Sequence, residues 1–219
     1  MKVRDRMAIG VKTVDMESSI TEAFRLMKDN NIRRLPVMDK GKLAGIVTLT
    51  DLNQASPSSA TSLSIHELNY LLAKTKIRDI IPKKQKLITI GPENYIETAA
   101  KIMRENTISG LPVVEDGKLV GIVTETDIFD ALIDILGVRR QHTRIDIFLK
   151  DPPGSIAEVT GLVAARGINI INTVVYYEKR KGKYKMILRM EELNYEPVVA
   201  ELKDKGYEVE SVIVRDGND

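Results

Sequence analysis

The alternation of apolar and polar positions in the first two thirds of the chain predicts one structural unit that occurs twice. Each copy opens with a short strand, and an amphipathic helix follows it. The helix begins at Ser19-x-x-Glu22 in the first copy and at Asn94-x-x-Glu97 in the second. Both strings have the form of a capping box, in which the first side chain accepts a hydrogen bond from a backbone N–H three residues later. The predicted inward positions are Ile20, Ala23, Met27 and Ile96, Ala99, Met103.

Two strands and a second helix complete each copy. In the first copy, the runs around Leu35-Pro36-Val37 and from Leu43 to Thr48 flank the turn Asp39-Lys40-Gly41, which predicts a hairpin. The second helix begins near Asp51 or Asp127, and Gly137 ends it in the second copy. Its predicted apolar face there is Ile128, Ala131, Leu132, Ile135 and Leu136. The order within a copy is therefore strand, helix, strand, strand, helix.

The two copies are a duplication. A shift of 76 residues aligns 17–52 with 93–128 without a gap, and 18 of these 36 pairs are identical. The short string Lys2-Val3-Arg4-Asp5 also recurs, as Lys76-Ile77-Arg78-Asp79, so each repeat is predicted to begin at that string. We expect repeat 1 at residues 1–55 and repeat 2 at residues 76–137.

Two linkers are predicted from composition. Residues 56–75 join the repeats, with a Ser-rich loop from Gln54 to Ser64 and a helix from His66 to Lys74. Residues 138–143 are polar and basic, and a new pattern occupies residues 144–214.

The last third predicts the order βαββαβ, the split βαβ or ferredoxin-like arrangement. Its predicted strands are Ile145 to Leu149, Ile168 to Tyr177, a run containing Tyr184, Met186, Leu188 and Met190, and Tyr207 to Val214. The first helix places Ile156, Val159, Leu162 and Val163 inward and ends at Gly167; the second runs from Tyr195 to Lys205, with Val198, Val199 and Leu202 inward.

Composition narrows the class of protein. The chain has 219 residues, of which 43% are hydrophobic, a formal net charge of +2 and no cysteine. The balanced charge gives no reason to expect nucleic acid or an anionic membrane as the partner. No apolar run reaches the roughly 18 residues that cross a bilayer, and the charged N-terminus is unlike a signal peptide, so we expect a cytoplasmic protein.

The repeats resemble CBS domains, which occur in tandem and pack as a pair. The strings that carry this resemblance are Leu35-Pro36-Val37 with Gly45 to Asp51, and Leu111-Pro112-Val113 with Gly121 to Asp127. Residues 143–214 resemble an ACT domain, through 149–156 and Gly167-Ile168-Asn169-Ile170. This domain order is similar to that of AcuB-type acetoin-utilisation proteins. The resemblance implies an α/β fold: a tandem CBS pair followed by a ferredoxin-like ACT domain.

The end of each Gly-Ile-Val-Thr strand is the first candidate site. Thr48 would place a hydroxyl there and Asp51 a carboxylate in the first turn of the next helix, an arrangement suited to a ribose phosphate. The resemblance implies this role for both repeats and an adenosine ligand such as AMP, ADP, ATP or S-adenosylmethionine. The alternative is that these residues merely cap a helix. The candidate nucleotide-binding residues are Thr13, Val14, Arg33, Arg34, Leu35, Pro36, Thr48, Thr50 and Asp51, with Thr89, Ile90, Ser109, Gly110, Leu111, Pro112, Thr124, Thr126 and Asp127.

The two clefts are not expected to be equivalent. Arg33 and Arg34 precede Leu35 where repeat 2 has Ser109 and Gly110. A guanidinium binds phosphate through a rigid fork of donors, so the first cleft is predicted to bind more tightly than the second. The alternative is that both arginines are solvated surface charges.

The C-terminal domain offers a second candidate site. The turn that leads into its first helix has backbone N–H groups that suit a ligand carboxylate, and the predicted amino-acid-binding residues are Asp151, Gly154, Ser155, Ile156, Asn169 and Ile170. Pro152 and Pro153 remove two N–H donors there, which favours dimerisation or a vestigial site instead.

The sequence offers little for catalysis, because both histidines, His66 and His142, fall in linkers and there is no cysteine. We expect no catalytic cofactor and no metal site. The leading hypothesis is a homodimeric sensor whose CBS pair binds an adenosine nucleotide and controls an unidentified partner protein. The first alternative is an ACT-based amino-acid sensor in which the CBS pair is a scaffold. The second is an enzyme of acetoin or nucleotide metabolism.

Overall fold

The computed structural model describes residues 1–57, 64–82, 86–150 and 153–216. The chain forms two compact units, Met1–Phe129 and Asp130–Asp219. Among the helices of these described ranges, none has the length and apolar character that crossing a membrane requires.

Repeat 1 has the predicted order of elements. It consists of β1 (Val14–Asp15), α1 (Ile20–Asp29), β2 (Arg34–Asp39), β3 (Lys42–Thr48) and α2 (Leu49–Ala55). β1 pairs with β2 in parallel, and β2 and β3 form the predicted antiparallel hairpin. Ser19 caps α1, since its hydroxyl accepts the N–H of Glu22 at 3.2 Å. The predicted inward residues of α1 are all buried against Leu35, Val37 and Val47.

The connection to repeat 2 contains two helices, α3 (Ile65–Lys74) and α4 (Ile77–Ile80). Repeat 2 then has α5 (Ile96–Asn106), β4 (Gly110–Glu115), β5 (Lys118–Thr124) and α6 (Glu125–Ile135). Its first strand is reduced to a single parallel bridge between Ile90 and Val113. The predicted cap of α5 was wrong, because the N-cap is Tyr95, and the Asn94 side chain instead donates to the carbonyl of Gly91.

The predicted apolar face of α6 is only partly correct. Ala131 is fully buried, but Leu132 and Ile135 are 50% and 47% exposed. The apolar stripe of the sequence is wider than the face that this helix buries. Gly137 ends the helix as predicted, with φ at 65°.

The short string that precedes each repeat packs against the other repeat. The N–H groups of Val3 and Arg4 donate to the carbonyls of Asn94 and Pro92 in repeat 2, at 2.8 and 3.1 Å. Conversely, the N–H of Ile77 donates to the carbonyl of Ser18 in repeat 1, at 2.9 Å. Val3 and Ile77 are both fully buried, and Ile77 belongs to the hydrophobic core of repeat 1. Each repeat is therefore completed by residues that precede the other.

The C-terminal unit contains the predicted ferredoxin-like fold. Its elements are β6 (His142–Phe148), α7 (Ser155–Ala165), β7 (Ile170–Glu178), β8 (Lys183–Met190), α8 (Glu196–Asp204) and β9 (Glu208–Arg215). The strands form an antiparallel sheet in the order β7-β8-β6-β9, whose core includes Ile145, Ile147, Leu188, Val163 and Leu202. The inward placement of Ile156 was wrong, because it is 46% exposed. Ser155, four residues before Val159, takes the buried position and donates its hydroxyl to the carbonyl of Lys150.

Strands β6 and β8 also carry a charged cluster that includes Arg144, Asp146, Lys185 and Arg189. Asp146 accepts from Arg144 Nε at 2.7 Å and forms an ion pair with Lys185 Nζ at 3.1 Å. Burial raises the pKa of the Asp146 carboxyl, but the hydrogen bonds from Arg144 and Lys185 outweigh it, so this pKa lies below its ordinary value. Arg189 is 5% exposed, and its Nε and Nη1 find no hydrogen-bond partner among the described residues.

Candidate functional site

The Thr–Asp pair of repeat 1 forms a closed capping box at the start of α2. Oδ2 of Asp51 accepts from the N–H of Thr48 at 2.8 Å and from its hydroxyl at 2.6 Å. The N–H of Asp51 donates back to the Thr48 hydroxyl at 3.2 Å. The capping role is therefore real. Oδ1 of Asp51 has no partner within the described ranges and remains available as an acceptor.

Repeat 2 builds the same pair at the start of α6. Oδ2 of Asp127 accepts from the N–H and from the hydroxyl of Thr124, both at 2.7 Å. The second threonine of each string, Thr50 or Thr126, lies exposed in the first turn of its helix. Each predicted Thr–Asp pair is thus assembled, while the intervening threonine points to solvent.

A cavity of about 290 Å³ opens beside the first pair. Its wall contains five of the predicted site residues: Arg34, Thr48, Asp51, Ser109 and Gly110. It also contains six that sequence analysis missed: Ile46, Lys86, Leu87, Ile88, Thr107 and Ile108. The cavity therefore combines the end of the β2–β3 hairpin with two segments of repeat 2, one before its first strand and one after α5.

Five of the missed residues belong to repeat 2, whereas the predicted site was built from residues of one repeat; Ile46 lies in β3 together with Thr48. The 76-residue alignment pairs Thr107–Gly110 with Asn31–Arg34. Because Arg34 was already a candidate, this equivalence is the signal that could have found Thr107 and Ile108. Thr107 also has a left-handed backbone, with φ at 54°. This conformation is unusual for a β-branched residue, and such strain concentrates at functional sites.

The wall is chemically divided. Ile46, Leu87 and Ile108 are apolar and suit the faces of a flat ring, whereas the free oxygen of Asp51 suits a pair of hydroxyl donors. Lys86 and Arg34 supply positive charge. In the described part of the chain, no group of three His, Asp or Glu side chains is placed to hold a metal ion.

Arg34 lies on the cavity wall but is directed towards repeat 2. Its Nη2 donates to the Ser109 hydroxyl at 2.7 Å, and its Nη1 donates to the Ser109 carbonyl. Burial lowers the pKa of this guanidinium, Glu125 and Asp127 act in the opposite direction, and Arg33 adds to the lowering. Arg33 itself is exposed and does not line the cavity.

The remaining predicted nucleotide-binding residues lie outside this cavity. Val14, Leu35, Pro36, Ile90, Leu111 and Pro112 are buried, and Thr13 and Thr89 are half-buried. In β2 and β4 the Leu-Pro dipeptides are core positions of the hairpins.

The predicted amino-acid site in the C-terminal unit is only partly described, because Asp151 lies outside the described residues. Gly154 precedes α7 with φ at 100°, which permits the sharp entry into the helix. Asn169 is exposed, and its carbonyl accepts the N–H of Glu191 at 3.0 Å. Ile170 begins β7 and is half-buried.

Comparison with known proteins gives a consistent result for the first unit. A family model described as "CBS domain" matches residues 3–58 and again residues 77–134. A CBS domain-containing protein of Dictyostelium discoideum is 34% identical over 136 residues, which is 61% of this chain and 92% of that protein.

Two solved structures are also similar to this chain. A putative acetoin utilization protein (AcuB) from Vibrio cholerae is 28% identical, with 63% of this chain and 94% of that chain covered and a TM-score of 0.51. The CBS domain pair of protein MJ0100, in complex with 5'-methylthioadenosine and S-adenosyl-L-methionine, is 30% identical, with 60% and 95% covered and a TM-score of 0.49.

Proposed function

The chain belongs to the CBS domain family, of which it carries a tandem pair, and on that premise we propose that it is a regulatory sensor that binds an adenosine compound. The ligand would occupy the cavity beside Thr48 and Asp51. The observation that carries the proposal is the division of this one wall into apolar, acceptor and cationic parts.

Each part of an adenosine nucleotide has a matching group in this cavity. Adenine would lie against Ile46, Leu87 and Ile108, because apolar side chains suit the faces of a flat heterocycle. The ribose hydroxyls would donate to Oδ1 of Asp51, the oxygen that the capping box leaves free.

Phosphate would meet the Lys86 side chain on the cavity wall, because the Arg34 guanidinium donates to Ser109 instead. α2 has only seven residues, so we assign phosphate recognition to this side chain and not to a helix dipole.

The cavity size bears on the choice of ligand. Its volume of about 290 Å³ is at the lower end of the roughly 300–1,000 Å³ typical of small-molecule sites. This size favours AMP over ADP and ATP, whose further phosphates would extend into solvent, and over S-adenosylmethionine. No catalytic cofactor is required, because we propose binding without bond breaking.

Binding would act on the geometry of the pair. The walls belong to both repeats, so a bound ligand would contact both and favour the arrangement in which they are correctly spaced. This differential binding would be transmitted to an unidentified partner protein, whose activity the chain controls.

For the second unit we propose an ACT domain that serves dimerisation or amino-acid binding, with the whole chain a cytoplasmic homodimer of the AcuB type. The ferredoxin-like sheet order supports the ACT domain. The likeness of 63% of the chain to the Vibrio cholerae protein supports the AcuB type. The domain limits given from the sequence, 1–55, 76–137 and 144–214, stay predictions.

Isothermal titration calorimetry with AMP, ATP and S-adenosylmethionine tests the proposal on the full chain. We expect saturable binding of at least one of them, with AMP the tightest. Folded protein that binds none of the three would refute the nucleotide function. Titration with branched and aromatic amino acids tests the alternative: binding of these alone would make the C-terminal unit the receptor. A turnover assay with each adenosine compound tests the enzyme alternative. If no compound is consumed, an enzyme that acts on these compounds is excluded.

A further inference from the structure

One pair of equivalent positions in the repeats carries very different residues. Arg34 begins β2 and pairs with Thr48, and Gly110 begins β4 and pairs with Thr124. These two positions therefore stand beside the two Thr–Asp pairs in the same way. The position in repeat 1 carries a long cationic side chain, and the position in repeat 2 has no side chain.

The Arg34 side chain lies directly over Gly110. A methyl group built on Gly110 would be 2.6 Å from Arg34 Nη1 and 2.9 Å from Arg34 Cδ, closer than atoms can approach. The absence of a side chain on Gly110 is therefore what lets Arg34 reach Ser109.

The Arg34 guanidinium lies at the start of α6, the helix that carries the second Thr–Asp pair. The Ser109 carbonyl that accepts from Arg34 Nη1 also accepts the N–H of Glu125, the first residue of α6, at 3.2 Å. The carboxylates of Glu125 and Asp127 act on the guanidinium electrostatically.

In the first cleft the equivalent position is Gly110, which has no side chain. The cavity of about 290 Å³ beside Asp51 is open there, with Arg34 contributing only to its wall. We propose that Arg34 closes the cleft at Asp127 and that Gly110 leaves the cleft at Asp51 open, so that the tandem pair has one working site. The proposal that Arg34 closes one cleft does not depend on the proposed function. Only the identity of the ligand rests on that function.

Because the chain has no cysteine, single cysteines can report which cleft is open, without any nucleotide. Thr48→Cys and Thr124→Cys are a matched pair, since each threonine donates its N–H and its hydroxyl to Oδ2 of the following aspartate. We expect a small maleimide to label Thr48→Cys about tenfold faster than Thr124→Cys in folded protein. Adding Arg34→Gly should raise the Thr124→Cys rate severalfold, while adding Arg25→Ala, on the exposed face of α1, should not change it. Circular dichroism confirms that each variant is folded. Equal rates for the two cysteines, or no response to Arg34→Gly, would overturn the proposal.

Calorimetry with AMP supplies the functional readout. The wild-type chain should bind about one AMP, and Arg34→Gly, which opens the cleft at Asp127, should bind about two. No binding to wild type, together with unequal cysteine labelling, would refute the nucleotide function and leave the closure intact. Two sites in wild type would refute the closure and leave the function intact.

Discussion

The backbone N–H of Val3 donates a 2.8 Å hydrogen bond to the carbonyl of Asn94, which ties the start of the chain to the beginning of repeat 2. The Val3 side chain is fully buried. The sequence alignment assigns Val3 to repeat 1, but in the structure Val3 is hydrogen-bonded to repeat 2.

Val3→Ala tests the energetic weight of this exchange. Truncation of a fully buried valine should lower the free energy of unfolding by about 2 kcal/mol, because it removes buried apolar surface and leaves a small cavity. Urea denaturation measures the change. Ile9→Ala, at a position that is 77% exposed, should change the stability by less than about 0.5 kcal/mol. A loss of stability from Val3→Ala that is as small as the loss from Ile9→Ala would show that the Val3 side chain does not contribute to the fold.

Asp51→Asn should weaken AMP binding about tenfold or more, because the ribose would lose hydrogen bonds to a charged acceptor. Asparagine keeps the shape and one oxygen acceptor, so the cap of α2 is largely retained. Asp127→Asn is the matched control, since it changes the same kind of cap at the closed cleft. Calorimetry should show nearly unchanged affinity for that variant. A similar loss in both variants would contradict the assignment of the site to Asp51.

Asp146→Asn should destabilise the C-terminal unit by about 3–5 kcal/mol, because it removes the carboxylate of a buried ion pair that Arg144 and Lys185 share; Lys185 keeps its second partner, Glu210. Glu208→Gln is the control on the same sheet: Glu208 pairs with Lys183 at 3.0 Å, but both side chains are half exposed. That variant should lose less than about 1 kcal/mol. Chemical denaturation followed by circular dichroism compares them, and comparable losses would contradict the role of burial.

Arg189→Met should stabilise the same unit by about 1 kcal/mol, because it removes a buried cation that lacks partners for two of its nitrogens. Burial and then the charge of Arg144 lower the pKa of this guanidinium, while Asp146 raises it, so its setting is net unfavourable to charge. Methionine has similar length and fills the same space. A rise in the midpoint of urea denaturation is expected, and a clear fall would indicate that Arg189 has a compensating interaction.

Tyr207 and Glu158 predict a pH-dependent contribution to stability. The Tyr207 hydroxyl donates to Glu158 Oε2 at 2.6 Å; burial first, and then this hydrogen bond, raises the pKa of the phenol. The same bond holds the pKa of Glu158 below its usual value. For the phenol, the stabilisation is fully present below its unfolded-state pKa of about 10 and is lost as pH rises through the higher folded-state pKa. For Glu158, it is present above about pH 4.3 and lost as pH falls through the lower folded-state pKa.

Tyr207→Phe removes both contributions. The stability difference between wild type and this variant should therefore be largest between about pH 5 and pH 9 and should shrink on either side. Urea denaturation across this pH range measures it. Tyr184→Phe, on an exposed ring, should show a small difference that does not vary with pH in this way.

The sequence was most informative where local chemistry determines structure. Ser19 predicts the start of α1 because its hydroxyl satisfies a nearby N–H, and the Asp39-Lys40-Gly41 turn predicts the hairpin between β2 and β3. The cap of α5 was misplaced by one residue because Asn94 bonds within its own turn instead of to the helix. The alternating pattern of the last third was sufficient to predict the ferredoxin-like fold.

Long-range relationships were not predictable in the same way. The local sequence around Arg34 does not predict that its side chain reaches Ser109, because that contact joins residues of different repeats. The same applies to Lys86 and Thr107, which reach the cavity only after both repeats have packed. The Thr–Asp pairs were found because they are local; the cavity they face is a property of the assembled pair.

The exchange of the opening strings has a consequence for synthesis of the chain. As the polypeptide leaves the ribosome, repeat 1 cannot complete its core until Ile77 has emerged, and the segment that contains Val3 must wait for Asn94. Neither repeat can then fold completely on its own during synthesis. The core of repeat 1 is complete only after the first residues of repeat 2 have been synthesised. A chain truncated between the repeats would leave Val3 without its acceptor and repeat 1 without Ile77, so repeat 1 alone would have an incomplete core.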